Sequence, residues 1–383
     1  LVPNDNNNSQ DIFVRNMLTG TTSLVSVNSV GGSGNAPSTD ARISADGRRV
    51  VFQSYASDLV SNDTNGYVPD VFVRELLTNT TRLVSVSNTG GSGNSDSAQF
   101  TLSADGRYVA FISFADNLLF RTKDTNGRTD VFLRDLDAET TTLVSISRVA
   151  NRSSNLGAFQ PTISADGRFV CFQSSSTDLT ANSTNGLGDV FVRDTVLKTT
   201  TLVSVNLNGV AHSGYNGIQW SGMSANGRVV LFTAWDTDVV EQDNNGRLDL
   251  FARDLATGTT QLVSSKVPRT AFPLYEQDYF RSPVISPDGR FVVFCINRTD
   301  ITAQKNLYLR DLTTGSLSWL NPNTGYSGAD HPAISADGRI IAFESYASDL
   351  LPNIGGNGNV YAYGNAFASL AEEGGVELKQ NFK

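Results

Sequence analysis

The chain of 383 residues holds only two cysteines, two histidines and two methionines. Two histidines are too few for a His-rich metal centre. Cys171 and Cys295 fall inside apolar runs, RFVCFQ and FVVFCIN, two repeats apart, so they read as buried free thiols rather than a disulfide. Lysine is scarce, 6 against 23 arginines, and 38 Asp and Glu leave a formal net charge of −9. That balance lacks the basic footprint nucleic acid needs. No apolar run approaches the length of a membrane-crossing helix. The G-x-S-x-G and H-E-x-x-H motifs and a phosphate-cradling loop are missing, which removes the common hydrolase, metalloprotease and nucleotide-binding signatures. The chain begins at Leu1 without Met, as a processed product would.

A repeat is present in place of these features. SADGR or a close relative occurs at 44–48, 103–107, 164–168, 224–228 (SANGR), 286–290 (SPDGR) and 335–339. The spacings are 59, 61, 60, 62 and 49 residues. Each copy sits between a short strand-like piece such as PTIS and an apolar run such as RYVAFIS or RFVCFQS. Asp-Gly or Asn-Gly between two such runs is a hairpin signal, because glycine accepts the positive φ of a tight turn. An Asn-Gly loop follows, then a third strand (VFVR, VFLR, LFAR, LYLR), a turn of the DLATGTT type, and a fourth strand such as TLVSV. Each unit is thus four antiparallel strands, a to d. Six such units predict an all-β fold, a six-bladed β-propeller of four-stranded antiparallel blades over residues 1–364.

The ends predict closure by N- and C-terminal strands. The chain opens on orphan c and d strands (DIFVR, TSLVSV) and finishes with a and b strands (HPAIS, RIIAFES) that lack a d. The N-terminal strands would complete the last blade and remove an aggregation-prone edge. One strand is surplus, since NVYAYG (359–364) also matches strand c. Either copy is displaced, or one pairs with a neighbouring molecule, which gives a third role as a structural subunit assembling by terminal strand exchange. Residues 365–383 are a tail or the stub of a further domain.

The residues that carry the repeat resemble the WD40-like, PD40-type propeller family, of which the TolB propeller is the familiar member. SPDGRFVVF (286–294) is the best match to its S-P-D-G-x-x-I-A-F pattern. The resemblance implies the propeller fold and leaves activity open, because propellers serve as binding platforms and as enzymes. The longer repeats with DTNG-x-x-DVFVRD insertions look more like large secreted bacterial proteins, which implies an extracellular, periplasmic or cell-surface setting.

Two sets of arginines recur, one after the a–b turn (Arg48, Arg107, Arg168, Arg228, Arg290, Arg339) and one ending strand c (Arg15, Arg74, Arg134, Arg193, Arg253, Arg310). Either they form an anion-binding face, or they pair with Glu75, Asp135, Asp194, Asp254 and Asp311 as turn caps and blade ties.

The Asn-Gly loops offer oxygens at alternate positions with Gly at the bend, which suits a hard cation such as Ca²⁺. The donor sets are Asp63, Asn65 and Asp70; Asp124, Asn126 and Asp130; and Asp243, Asn245 and Asp249 with Glu241 as a fourth. The pattern is similar to the Ca²⁺ hairpins of integrin-type propellers but lacks their first acidic position, and Asp58, Asp116, Asp178 and Asp238 just upstream are candidates to replace it. The third loop carries Ser183 where Asp is expected. The alternative is a plain turn whose Asp caps backbone amides.

Two d–a loops depart from the rest, at 206–220 and 266–281. They bring His212, Tyr215, Trp220, Arg269, Tyr275, Glu276, Asp278, Tyr279 and Arg281 together, with His331 at the next a strand, as candidate ligand-binding residues. The reading is a non-catalytic extracellular binding or assembly propeller, stabilised by calcium, that presents these loops to a protein or glycan. The rival is a carbohydrate-active enzyme, a polysaccharide lyase or glycosidase, with His212 or Tyr275 as base beside Arg281.

Overall fold

The computed structural model describes residues 1–120, 122, 124–212, 218, 221–267, 279–297, 305–320, 329–345 and 359–364. Every regular element among them is a strand, and none is a helix. The chain divides into two compact units, Leu1–Leu202 and Val203–Lys383.

The first unit opens on a hairpin, β1 (Phe13–Asn16) with β2 (Thr21–Leu24), which stands as a sheet of its own. Three four-stranded meanders follow. They are β3 (Ser38–Ile43), β4 (Arg49–Ser54), β5 (Asp70–Glu75) and β6 (Thr80–Leu83); β7 (Ser97–Leu102), β8 (Tyr108–Ser113), β9 (Asp130–Asp135) and β10 (Thr140–Leu143); and β11 (Ala158–Ile163), β12 (Phe169–Ser174), β13 (Asp189–Asp194) and β14 (Thr199–Leu202). The second unit has two more, β15 (Ser221–Met223), β16 (Val229–Ala234), β17 (Asp249–Asp254) and β18 (Thr259–Leu262), then β19 (Tyr279–Ile285), β20 (Phe291–Asn297), β21 (Lys305–Asp311) and β22 (Leu317–Trp319). Its last sheet has three strands, β23 (Ala329–Ile334), β24 (Ile340–Ser345) and β25 (Asn359–Gly364). Among the described residues, five four-stranded sheets, one of three strands and one of two therefore stand where six blades were expected. The NVYAYG segment takes the c position in the last sheet, with Phe343 opposite Tyr361.

The repeated pentapeptide is a turn that caps itself. Ser44 Oγ donates to Asp46 Oδ1 at 2.6 Å, the same oxygen accepts the Arg48 amide at 3.0 Å, and Ser44 Oγ accepts the Arg49 amide at 3.0 Å. Successive turns are chained by backbone bonds, Ala45 to Ala104 and Ala104 to Ala165. The turn glycine therefore has two tasks. Gly167 sits at φ +75°, and a Cβ there would lie 2.2 Å from the Tyr108 ring. Gly66 has a similar φ of +79° with nothing within 4 Å. Gly167→Ala adds a steric clash to the backbone strain and is expected to destabilise by roughly 2–4 kcal/mol, against about 1 kcal/mol for Gly66→Ala. Equal losses in urea titrations of the two variants would sink the packing argument.

Strands b and c supply the core. In each blade one aromatic pair faces across them: Phe52–Phe72, Phe111–Phe132, Phe172–Phe191, Phe232–Phe251, Phe294–Tyr308 and Phe343–Tyr361, with ring centroids 5.4–5.9 Å apart. All but Tyr308, Phe343 and Tyr361 are wholly buried. Cys171 and Cys295 are buried free thiols, as the apolar runs around them imply. Strand a bulges, and Asp40, Gln99, Gln160 and His331 occupy the bulge at φ between +43° and +52°.

Candidate functional site

The Asn-Gly loops end on an aspartate at the head of strand c that is almost fully buried: Asp70, Asp130, Asp189 and Asp249. A serine on the chain after strand d donates to it, Ser85 to Asp70 and Ser145 to Asp130 at 2.5 Å, and Ser264 to Asp249. The loop asparagine donates to the other carboxylate oxygen, Asn65 to Asp70 at 2.8 Å, Asn126 to Asp130 at 2.7 Å and Asn245 to Asp249 at 2.7 Å. The same Asn65 and Asn126 amides also reach the carbonyls of Gly93 and Ser154 at 2.8 and 2.9 Å. The N-terminal copy repeats the scheme, with Ser26 on Asp11 and Asn7 on the Gly34 carbonyl. This much is a turn lock shared by the loops that end on Asp70, Asp130 and Asp249.

The second aspartate of each loop does something else. Both carboxylate oxygens of Asp63, together with Asn65 Oδ1, are shut off from solvent without a hydrogen bond of ordinary geometry. Asp124 Oδ1 and Asp11 Oδ2 are in the same condition. The Asn65 amide and the Ser92 hydroxyl are the nearest donors to Asp63 and pull its pKa back, but burial dominates and pushes it up. Burial likewise pushes Asp70 up to about 7. Burial, with the Asp124 charge beside it, pushes Asp130 up to about 8. Two carboxylates facing one another away from water need a proton or a cation between them.

The third loop supplies an internal control. Where Ser183 replaces the aspartate, its hydroxyl donates to Asp189 Oδ2 at 3.1 Å and is itself buried. A donor there satisfies the strand-c carboxylate, so that loop asks for no cation.

Each donor set fits a cation only in part. Among the described residues no group of three or more carboxylate, histidine or cysteine side chains closes on one point. Glu241 is exposed, apart from the buried Asp243 and Asp249. The upstream aspartates each hold the neighbouring d–a loop. Asp58 accepts the Asn35 amide at 2.9 Å, Asp178 accepts that of Asn155 at 2.9 Å, Asp116 accepts Asn94 Nδ2 at 2.7 Å and Asp238 accepts Asn206 Nδ2 at 3.1 Å. Two carboxylates and an asparagine oxygen are what a hard cation would find.

Of the candidate ligand-binding residues, Tyr215, Trp220, Arg269, Tyr275, Glu276 and Asp278 lie outside the described residues, and Tyr279 and Arg281 are placed by their backbone in β19. His212 does not face solvent. It is 1% exposed, with Nδ1 2.5 Å from Asp236 Oδ2. Aligning the repeats would have found this pair. The equivalent positions are Gly34 with Ala56, Gly93 with Ala115, and Ser154 with Ser176, each in contact. A small pair has been replaced by an ionisable one. His331 is exposed, 3.2 Å from Glu344 through Nδ1, and owes its place to the bulge that strand a carries in other blades.

The two arginine sets also separate. Arg107, Arg168, Arg228 and Arg290 grip the aspartate that ends strand c in their own blade (Asp135, Asp194, Asp254, Asp311) at 2.6–2.9 Å. Asp135 is held down to about 2, chiefly by Arg107. Arg74, Arg134, Arg193 and Arg253 reach only a strand-d threonine hydroxyl at 2.8–3.2 Å, and burial lowers their pKa.

Consecutive four-stranded meanders with these turns define the β-propeller class. TolB-type and other propellers are its structural neighbours. Dipeptidyl peptidase 4 of Porphyromonas gingivalis is 13% identical, with a TM-score of 0.55 over 98% of this chain and 50% of its own. Oligogalacturonate lyase of Vibrio parahaemolyticus is 10% identical, with a TM-score of 0.51 over 96% of this chain and 83% of its own. TolB of Acinetobacter baumannii is 14% identical, with a TM-score of 0.40 over 79% of this chain, which spans 57% of that protein. No family model and no curated protein matches the sequence. No helix among the described residues is long and apolar enough to cross a membrane.

Proposed function

We propose that the chain is a non-catalytic binding or assembly propeller whose Asn-Gly loops are stiffened by Ca²⁺. The observation that carries this reading is the set of oxygens on Asp63, Asn65 and Asp124 that are buried without a hydrogen bond of ordinary geometry. A hard cation satisfies several such oxygens at once, and two carboxylates balance its charge. With only two carboxylates per site, binding suits the millimolar Ca²⁺ range of extracellular modules, which fits the reading of a protein outside the cell, in the periplasm or at the cell surface.

The six-bladed ring belongs to the same proposal. Among the described residues the sheet β23–β25 has no fourth strand, and β2 matches in sequence the strand that ends the other blades. A protein or glycan partner at the 206–220 and 266–281 loops completes the reading.

The test is a thermal melt of EDTA-stripped protein titrated with Ca²⁺ and, separately, with Mg²⁺. A ligand of the folded form raises the midpoint with its concentration. A Ca²⁺-selective rise that shrinks in Asp63→Ala and Asp124→Ala is expected. A flat response would reduce these loops to turns.

A further inference from the structure

The end strand β10 borders a groove of about 430 Å³ between its own sheet and the sheet β11–β14. Along one wall run Thr141, Thr142 and Leu143 of β10, Phe120 closes one side, and Arg193 and Lys198 stand opposite. Phe120 is 85% exposed, a large apolar ring with little cover of its own. No carboxylate lines the groove. The groove thus combines an unpaired strand edge, an apolar strip and two cations.

Arg193 is poised rather than engaged. Its Nη1 donates to Thr200 at 3.0 Å, and no carboxylate stands within ion-pair distance among the described residues. The aspartate beside it, Asp194, is occupied by Arg168 at 2.7 Å and by two turn amides at 2.9 Å.

The second unit displays what this arginine does when chain is in reach. Arg310 holds the same position in β21 and is 4% exposed. It donates to the carbonyls of Val263 and Gly315 at 2.8 Å, and to both the carbonyl and the hydroxyl of Ser265. The chain after β18 makes a tight turn there, Ser265 bonding back to Leu262 and Val267 to Ser264, and the Ser265 carbonyl lies in it. After β10 the chain folds into a hairpin instead, with Ile146 bridged to Ser153 and Ser154 bonded to Ser145. No such turn follows β10, and Arg193 lines the groove.

We propose that this groove binds an extended acidic segment of a partner protein, which adds to β10 as a further strand and sets a carboxylate on Arg193 and Lys198. Main-chain pairing to β10 supplies affinity, and alternate side chains supply selection: acidic ones toward the cations, apolar ones toward Leu143 and Phe120. Against a chain of net charge −9, attraction of an acidic peptide has to come from a local site.

The probe is a fluorescein-labelled peptide of alternating valine and glutamate, followed by anisotropy against the whole chain. We expect saturable binding that weakens about tenfold or more in Arg193→Gln with Lys198→Gln. Methylating alternate peptide amides should weaken it comparably, because the strand ladder is lost. Lys198 is exposed, so Lys198→Glu alone keeps a folded test available should the double variant fail to fold. Equal binding by wild type and variants, or equal binding of a peptide with lysine in place of glutamate, overturns the proposal. So does arginine-dependent binding of a galacturonate oligomer with no binding of the peptide.

Discussion

Phe111→Ala is expected to lower unfolding stability by roughly 3–5 kcal/mol, the usual loss for a wholly buried aromatic ring. Phe111 is fully buried, stacked 5.8 Å from Phe132, in a cluster with Val109, Val131's neighbour Phe132, Leu118 and Leu143. The rings of this b–c ladder are held by strands on both sides, so the cavity has little freedom to collapse. Phe114, three residues on and 52% exposed, is the matched control, and Phe114→Ala should stay within about 0.5 kcal/mol. The readout is urea denaturation followed by tryptophan fluorescence and circular dichroism, with a lower midpoint and an unchanged slope. A loss below about 1 kcal/mol for Phe111→Ala would mean that the stacked pairs are not what holds the blades.

The strand pattern was legible because it was repeated. SADGR announces a self-capping turn, and the alternation in RYVAFIS announces a buried strand, so the order of strands within each blade follows from the residues alone. Asp40, Gln99, Gln160 and His331 were not legible as bulge residues, since none is glycine and nothing local signals a positive φ. His331 reads as a binding residue in the sequence, and the bulge it occupies shows only in the structure. The burial of His212 was equally hidden, because its partner Asp236 lies 24 residues away and only the alignment of repeats brings the two positions together. The roles of the arginines depended on competition. Asp135, Asp194 and Asp254 are each next in sequence to one arginine but taken by another, which at Asp194 leaves Arg193 for the groove.

The loop aspartates carry the second large effect, on pH. A carboxyl with a folded pKa above its unfolded value near 4 keeps its proton in the folded state where the unfolded chain has released it. Its stabilising contribution is full below about 4 and is lost as pH rises through the folded value. With Asp70 at about 7 and Asp130 at about 8, EDTA-stripped protein should lose stability steadily between pH 5 and 8. On the proposed Ca²⁺ reading the cation takes the place of the proton, so its stabilising effect should grow over the same interval and cancel the loss. Asp124→Ser copies the arrangement that Ser183 makes with Asp189, a hydroxyl donating to a buried carboxylate. That variant should be more stable than the stripped wild type at pH 8, by on the order of 1–2 kcal/mol, and should answer less to Ca²⁺. Melts of both proteins across this pH range, with EDTA and with Ca²⁺, give the comparison. If stripped wild type holds its midpoint up to pH 8, the paired carboxylates are already satisfied without a cation, and the loops are the turn locks that Asp70 and Ser85 alone would make.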